Sequence, residues 1–256
     1  MLVSLITACY NSGNTLQDTF ASVQMQKDCA IEYLLLDGGS SDTTVNLIRA
    51  AGPLVSSWTS EPDAGIYDAL NKGISRASGD VVGFLHADDA FADDRVLARI
   101  SKVFGNPQVD ACYGDLIYVR QDDPTHILRY WKSDEFNRTK LARGWMPPHP
   151  TFYVRRKVYE EFGGFDTGYR IAADYDNMLR ILLGLKGEVA YIPEVLVRMR
   201  AGGISNRSLR NVIRKSKEDY RALRSNGIGG WRALAWKNLS KLGQFVRRQP
   251  YNEGMR

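Results

Sequence analysis

The stretch VVGFLHADD, residues 81–89, is an apolar run that stops at two adjacent carboxylates. A short continuous apolar run predicts a buried strand, so Asp88 and Asp89 are expected at its carboxyl end. In open α/β sheets ligands bind beyond the strand ends, and paired carboxylates there suit a divalent cation. The alternative is that the two Asp residues cap a helix, because residues 90–104 have a helical pattern.

The same arrangement recurs upstream. Apolar segments at residues 2–8, 31–36 and 54–58 are each followed by a polar loop and a helical stretch. Four strand-to-helix units within about 90 residues predict an α/β fold with a parallel sheet of the nucleotide-binding type. The first loop, TACYN at residues 7–11, lacks the G-x-G-x-x-G pattern of dinucleotide-binding proteins, and the chain contains no Walker A sequence.

Composition bounds the class of protein. The chain has 256 residues, of which 44% are hydrophobic and 25% charged, enough for one main domain with a small appendage. Three cysteines without a CxxC pair suggest neither a disulfide framework nor a zinc site, and fit a reducing compartment. We expect no export signal and no membrane span, because no apolar run reaches about 18 residues.

Charge divides the chain into two parts. The net charge is +5, yet the residues from Arg207 onward contain 13 Lys and Arg against three acids. The body before them is therefore mildly acidic, and the tail is strongly basic. We predict a catalytic domain over residues 1–206 and a basic amphipathic helical tail over residues 207–256.

Four motifs in register resemble those of glycosyltransferase family 2, a family of inverting nucleotide-sugar enzymes with the GT-A fold. The motifs are TACYN at 7–11, DGGSSD at 37–42, EPDAGIYDALNKG at 61–73 and HADD at 86–89. The resemblance implies a GT-A, Rossmann-like sheet followed here by C-terminal amphipathic helices. It also implies a transferase acting on a nucleotide-sugar donor.

The resemblance implies a donor site in the first half of the chain. Thr7 and Tyr10 would flank the nucleoside, with Tyr10 stacked on the base. Asp37 would hydrogen-bond the base, and Asp63 and Lys72 would line the ribose or diphosphate side. A core aromatic and a turn-forming Asp are the structural alternatives for Tyr10 and Asp37.

The HADD motif is the expected metal site. His86 stands at the first carboxylate position of the family's D-x-D motif, so Asp88 and Asp89 are the predicted ligands of Mn²⁺ or Mg²⁺, with His86 beside the donor. A divalent cation would stabilise the charge that develops on the leaving diphosphate. Downstream, the resemblance places Arg200 at a phosphate, and His149 either at the diphosphate or acceptor or in a structural role.

Asp174 is the predicted catalytic base. An inverting transfer needs one base within reach of the acceptor hydroxyl. In the family this base is the Asp of a Glu-Asp pair, and here Ala173 replaces the Glu while Asp174 keeps the Asp. Asp176 is the second candidate for the base, and simple helix capping is the structural alternative for Asp174.

The last third of the chain predicts two edge strands, at 189–192 and 195–199, and two amphipathic helices, at 208–225 and 231–248. In the second helix, apolar residues recur at helical spacing, namely Trp231, Leu234, Ala235, Leu239, Leu242, Phe245 and Val246. Basic residues flank them, namely Arg232, Lys237, Lys241, Arg247 and Arg248. This pattern predicts a helix that lies on an anionic membrane surface. The alternative is a helix packed on the catalytic domain with a solvated basic side.

Together these observations predict a metal-dependent inverting glycosyltransferase that moves a sugar from a nucleotide sugar, expected by resemblance to be a UDP-sugar, to a lipid-linked saccharide. It is expected in the cytoplasm, on the inner face of the cell membrane. A nucleotidyltransferase is the enzymatic rival, although the glycine-rich phosphate loop it needs is missing. A non-catalytic basic module is the other rival, and no nucleic-acid-binding motif is present.

Overall fold

The computed structural model describes residues 1–202 and 209–237. Its first half contains four parallel strands joined by helices, which confirms the predicted α/β class. The strands are β1 (Leu2–Cys9), β2 (Ala30–Asp37), β3 (Ser57–Ser60) and β4 (Val81–Phe84). The helices between them are α1 (Leu16–Gln24), α2 (Thr44–Ala50) and α3 (Ile66–Arg76).

The second half completes one nine-stranded mixed sheet. Its strands are β5 (Ala90–Phe91), β6 (Val109–Val119), β7 (Ile127–Trp131), β8 (Tyr153–Arg155) and β9 (Glu188–Arg200). Its helices are α4 (Val96–Val103), α5 (Arg138–Leu141), α6 (Arg156–Phe162), α7 (Ala173–Gly184) and α8 (Leu209–Ser225). The strand order is β3-β2-β1-β4-β8-β6-β9-β5, and β7 pairs with β6 outside this path.

The sheet is buried on both faces, which explains its continuous apolar strands. Ile6 and Leu34 pack in one core cluster, while their neighbours Leu5 and Leu35 pack in another on the opposite face, as the two-residue period of a strand requires. Gly83 permits a close crossing, because a Cβ there would lie 2.0 Å from the ring of Tyr153. The covered sheet is thus a rigid support for the loops at its ends.

The predicted helix over residues 90–104 is wrong at its start. Ala90 and Phe91 form the short strand β5, which pairs antiparallel with β9, and the helix begins only at Val96. Phe91 is buried as part of this strand. The carboxylates at 88–89 therefore precede a strand and do not cap α4.

The two predicted edge strands are in fact one strand. β9 runs through both segments, pairs parallel with β6 and antiparallel with β5, and so lies inside the sheet. Its register against β6 shifts where Ile192 and Val195 face Gly114 and Asp115. Pro193 lies in this interval and has no backbone N–H to donate, which accounts for the irregularity. The predicted third strand is also displaced, to Ser57–Ser60, because residues 52–54 form a 3₁₀ turn.

The C-terminal elements pack onto the rest of the fold. α8 lies against α7. A helical segment over residues 231–237 buries Ala233 and Leu234 in the core cluster that also contains residues of α7 and α8. Lys237 is only 2% exposed and its ammonium lies 2.9 Å from Asp219, so the prediction that it supplies surface charge is wrong. The rest of the predicted second helix, from 238 to 248, lies outside the described residues. Across the described ranges, no helix has the length and apolar character needed to cross a membrane.

Candidate active site

The carboxyl ends of β1 to β4 meet at one edge of the sheet. Cys9 pairs with Asp37, and Asp37 pairs with Ser60, so the ends of the first three strands are level. β1 continues directly into Tyr10, whose side chain is 65% exposed. An exposed ring at a strand end is free to stack on a flat ligand, and it is not the core aromatic of the structural alternative.

Asp37 is a preorganised acceptor at the end of β2. Its carboxylate accepts hydrogen bonds from the hydroxyls of Ser40 and Ser60 and from the backbone N–H groups of Gly39 and Ser40. Burial alone would raise the pKa of Asp37, but these hydrogen bonds outweigh it and lower the pKa below its ordinary value. Asp37 is therefore ionised and fixed in orientation at neutral pH.

Three of the predicted donor-site residues, Asp37, Asp63 and Lys72, line one shallow cleft. The cleft is lined by Leu36, Asp37, Thr59, Glu61, Asp63, Ala69 and Lys72. Gly38 makes the approach of the two loops possible, because a Cβ there would lie 2.6 Å from a carboxylate oxygen of Asp63. The Lys72 ammonium forms ion pairs with Glu61 at 3.0 Å and Asp68 at 3.3 Å.

Thr7 lies below the surface of the site. Its hydroxyl donates to the carbonyl of Leu85 at 2.6 Å and lies 3.1 Å from the hydroxyl of Tyr33. The side chain is fully buried, so in this structure Thr7 couples β1 to the segment that leads into the HADD motif. Its contact with a nucleoside stays a prediction.

Asp88 and Asp89 occupy different environments. Asp88 is half-buried, whereas Asp89 is buried, with one carboxylate oxygen accepting the backbone N–H of Arg200 at 3.1 Å. The other oxygen of Asp89 has no hydrogen-bond partner. Burial, and then the charge of Asp88, raise the pKa of Asp89 well above its ordinary value. The Arg200 guanidinium binds Asp18 and the carbonyl of Gln121, and its phosphate contact stays a prediction.

These residues fit a cation that is only partly coordinated by protein. In the described part of the chain, no three His, Cys, Asp or Glu side chains are grouped as a complete metal site. Mg²⁺ and its analogues are commonly bound through one or two carboxylates together with substrate phosphates and water. Asp88 is half-buried and thus partly accessible for that role, and the neighbouring Asp89 has one buried carboxylate oxygen without a hydrogen-bond partner.

Two histidines lie beside this motif. The rings of His86 and His149 are 5.8 Å apart, and His149 stacks on Phe84, also at 5.8 Å. Burial lowers the pKa of His149 to about 4, so it is neutral at pH 7. This environment explains a structural role for His149, and His86 is the more exposed of the two rings.

Asp174 lies in the first turn of α7 and is half-buried. Burial raises the pKa of Tyr118, and the nearby charges of both Asp89 and Asp174 raise it further. The charge of Asp174 also acts on His149. The predicted base and the buried carboxylate of the HADD motif thus both act electrostatically on Tyr118, a residue that the sequence did not single out.

Asp176 does not fit the role of base. It is buried, it pairs with Arg180 at 3.4 Å, and it accepts a hydrogen bond from Asn226 at 2.9 Å. These contacts join α7 to the residue that follows α8 and engage both carboxylate oxygens of Asp176. The second candidate for the base is thus buried and has structural contacts in this structure.

Two more residues near Asp174 were not predicted. The Tyr67 hydroxyl donates to the carbonyl of Ile171 at 2.7 Å, and the Glu218 carboxylate accepts three N–H groups just before α7. Burial, followed by the charge of Asp174, raises the pKa of Tyr67, and Glu218 adds to the effect. The sequence feature that could have drawn attention to Glu218 is its position as an acid in a strongly basic stretch.

Comparisons with known proteins agree with this arrangement. The profile of glycosyl transferase family 2 matches residues 4–170. An uncharacterised glycosyltransferase of Mycobacterium tuberculosis is 34% identical over 190 residues, covering 71% of this chain and 69% of the relative. A PGL/p-HBAD biosynthesis glycosyltransferase of Mycobacterium bovis is 28% identical over 210 residues, covering 80% of this chain and 79% of the relative.

Solved structures share the fold at low identity. S. aureus TarS 1–349, crystallised with UDP-GlcNAc, has a TM-score of 0.71 and 15% identity over 96% of this chain and 72% of that chain. The chain spans only 43% of a longer TarS chain, at a TM-score of 0.68. The mannosyltransferase PcManGT from Pyrobaculum calidifontis, in complex with GDP-Man and Mn²⁺, has a TM-score of 0.67 and 19% identity over 95% and 72%.

The sequence match, which starts at Ser4 inside β1, extends through β8 and includes every carboxyl-edge loop described above. It ends at Arg170, before Asp174 and before β9. The structural neighbours extend the same architecture over nearly the whole chain. Because the sequence match and the fold agree, the chain belongs to glycosyl transferase family 2 and is a glycosyltransferase with the GT-A fold.

Proposed function

We propose that this glycosyltransferase is a metal-dependent inverting enzyme that takes its sugar from a UDP-sugar. The observation that carries the proposal is the grouping of predicted residues along the carboxyl edge of the sheet. Tyr10, the Asp37 cleft and the Asp88 carboxylate follow β1, β2 and β4 in turn, and Asp174 approaches from α7. Ligands of open α/β sheets bind in this crevice.

The donor half of the site suits a nucleoside. Tyr10 offers an exposed ring for stacking, and the fixed carboxylate of Asp37 accepts a hydrogen bond from a base N–H group. Asp63, in the same cleft, is placed to accept from a ribose hydroxyl. The choice of uridine rests on the resemblance and on TarS, whose crystal structures contain UDP and UDP-GlcNAc.

The transfer step needs one proton acceptor. The acceptor hydroxyl attacks the anomeric carbon opposite the diphosphate, the new C–O bond forms as the sugar–phosphate bond breaks, and the proton passes to Asp174. A divalent cation held by Asp88, with Asp89 behind it, would stabilise the negative charge left on the diphosphate. A complex of PcManGT contains Mn²⁺, which supports this cation.

A nucleotide titration tests the donor assignment. In the presence of Mn²⁺, calorimetry of the full chain with UDP, GDP, ADP and CDP should give the tightest binding for UDP. Asp37→Asn should weaken the binding of UDP and reduce the preference among bases, because the amide has one acceptor oxygen and its NH₂ group donates where the second carboxylate oxygen accepted. Equal binding of all four nucleotides, unchanged by Asp37→Asn, would refute the proposed base contact.

We also propose a lipid-linked saccharide acceptor, reached from the inner face of the cell membrane. Four of the nine large hydrophobic side chains exposed in the described residues lie in the two C-terminal helical segments, namely Val212, Ile213, Trp231 and Trp236. Exposed basic residues accompany them, namely Arg210, Lys217, Arg221, Arg224 and Arg232. Apolar side chains beside Lys and Arg suit an anionic leaflet, where each basic residue contributes about 1 kcal/mol.

The membrane proposal predicts salt-sensitive sedimentation with vesicles that contain phosphatidylglycerol. Replacing Trp231 and Trp236 by Ala together should remove most of this binding, and high salt should weaken the binding of the unaltered protein. Leu128→Ala, which removes an exposed apolar side chain from β7, is the matched control and should bind normally. Equal binding of the double variant and the control would contradict the assignment. Truncation is unsuitable, because Ala233 and Leu234 belong to the core.

A further inference from the structure

The segment just before α7 has no cap of its own. The residue at the N-cap position is Ala172, which has no side-chain acceptor, and no side-chain hydrogen bond caps this helix end. Residues 166–172 contain no helix or strand. A predicted base in the first turn of such a helix needs support from elsewhere, because catalytic groups must be held within a fraction of an ångström.

Glu218 of α8 provides this support. Its carboxylate accepts the backbone N–H of Arg170 at 3.2 Å, of Ile171 at 2.8 Å and of Ala172 at 3.0 Å. Three successive N–H groups that converge on one anion form a concave site of the kind that binds carboxylates strongly. Glu218 therefore fixes the orientation of three consecutive peptide groups immediately before the helix that carries Asp174.

The other side of the same peptides is also held. The Tyr67 hydroxyl donates to the Ile171 carbonyl at 2.7 Å, and the first helical bond of α7 runs from Asp176 N–H to the Ala172 carbonyl at 3.0 Å. With N–H groups bound by Glu218 and carbonyls bound by Tyr67 and α7, the peptides at 171–172 have little freedom to rotate. A shift of these peptides would displace Asp174, two residues farther on.

α8 is itself anchored to this region, so that Glu218 has a fixed position. The Arg221 guanidinium lies 4.3 Å from the ring centroid of Tyr169, and Asn226 donates to Asp176 at 2.9 Å. The buried Lys237–Asp219 pair, at 2.9 Å, ties the helical segment 231–237 to α8. The acid that binds the peptides thus lies directly before the part of the chain, from Asp219 to Asn226, that carries these contacts.

We infer that Glu218 is a positioning residue for Asp174. The inference rests on the proposed function, in which Asp174 is the base. Ala173, the residue before Asp174, has no carboxylate of its own, and a carboxylate from α8 lies against the peptides that lead to the base. Loss of Glu218 should therefore impair proton transfer without impairing donor binding.

The test compares kcat with KM for the donor in the full chain. Glu218→Ala should lower kcat by about 10-fold or more, since small misplacements of a catalytic group are costly, while KM for the donor changes little. Glu218→Gln, which keeps one acceptor oxygen, should show a smaller loss. Glu161→Gln, at an exposed Glu on α6, is the matched control and should keep the original kcat. Rates are divided by the concentration of sites that bind UDP, so that partial unfolding does not imitate the effect.

A double variant separates positioning from general support of the fold. In the Asp174→Asn background, Glu218→Gln should cause no further loss of the residual rate, because its target is already gone. An unchanged kcat in Glu218→Gln and Glu218→Ala, or a full multiplicative loss in the double variant, would overturn the inference. If Asp174→Asn alone leaves kcat intact, the proposed base is wrong, which is a separate outcome. If Glu218→Ala does not fold, the Glu218→Gln comparison decides the question.

Discussion

Asp174→Asn is expected to lower kcat by about 10²-fold or more, because an amide cannot take the proton of the acceptor hydroxyl. The affinity for the nucleotide should hardly change, since Asp174 lies on α7 and outside the cleft formed by Asp37, Asp63 and Lys72. Steady-state rates with saturating donor, combined with UDP titration, measure both quantities.

Asp176→Asn is the comparison for this result. Asp176 accepts from Asn226 and pairs with Arg180, so its replacement should lower the unfolding temperature and change kcat much less than Asp174→Asn does. The reverse order, with Asp176 indispensable and Asp174 dispensable, would contradict the assignment of the base. Measuring thermal unfolding of both variants shows whether a lost rate reflects lost protein.

Asp88→Asn is expected to abolish the part of nucleotide binding that depends on Mn²⁺ and to lower kcat/KM by about 10²-fold or more. Charge stabilisation by a bound cation is worth several kcal/mol, and each 1.36 kcal/mol is tenfold in rate. Asp88 alone should be replaced, because Asp89 is buried and holds the backbone of Arg200, so its substitution would disturb β9 as well.

Asp28→Asn is the matched control for Asp88→Asn, because it also removes one carboxylate, here from an exposed position. Asp28 has a positive φ of 56°, a conformation that Asn tolerates well, so the variant should fold normally. Calorimetry with UDP, with and without Mn²⁺, should then distinguish Asp88→Asn from Asp28→Asn and from the original protein. Metal-dependent affinity that survives in Asp88→Asn would show that this carboxylate does not bind the cation.

Local patterns in the sequence were sufficient to predict the half of the fold that contains the parallel strands β1 to β4. Each strand there is a short apolar run followed by polar residues, and burial is nearly continuous along β1 and β4 and over the second half of β2. The same logic placed Tyr10, Asp37 and Asp88 at one edge, because the carboxyl ends of parallel strands meet there. Their individual contacts with a ligand stay predictions.

The rest of the fold could not be predicted in the same way, because it depends on contacts between residues that are distant in sequence. The pattern after Asp89 is helical, but the pairing of Ala90 with Arg198 over more than a hundred residues turns it into a strand. Lys237 has a basic side chain typical of a surface, yet the acid that buries it, Asp219, lies in another helix. Glu218 is similar, because the peptides it binds are distant in sequence. Such partners cannot be read from a local window.

The central claim is that the carboxyl edge of this sheet holds a nucleotide sugar and a cation for attack by an acceptor. The most direct measurement is the release of nucleoside diphosphate by the full chain from a panel of nucleotide sugars, with Mn²⁺ and after its removal by a chelator. Release from a UDP-sugar should require the cation and should be lost in both Asp88→Asn and Asp174→Asn. Release that continues in the chelator, or that is unaffected by either substitution, would contradict the central claim.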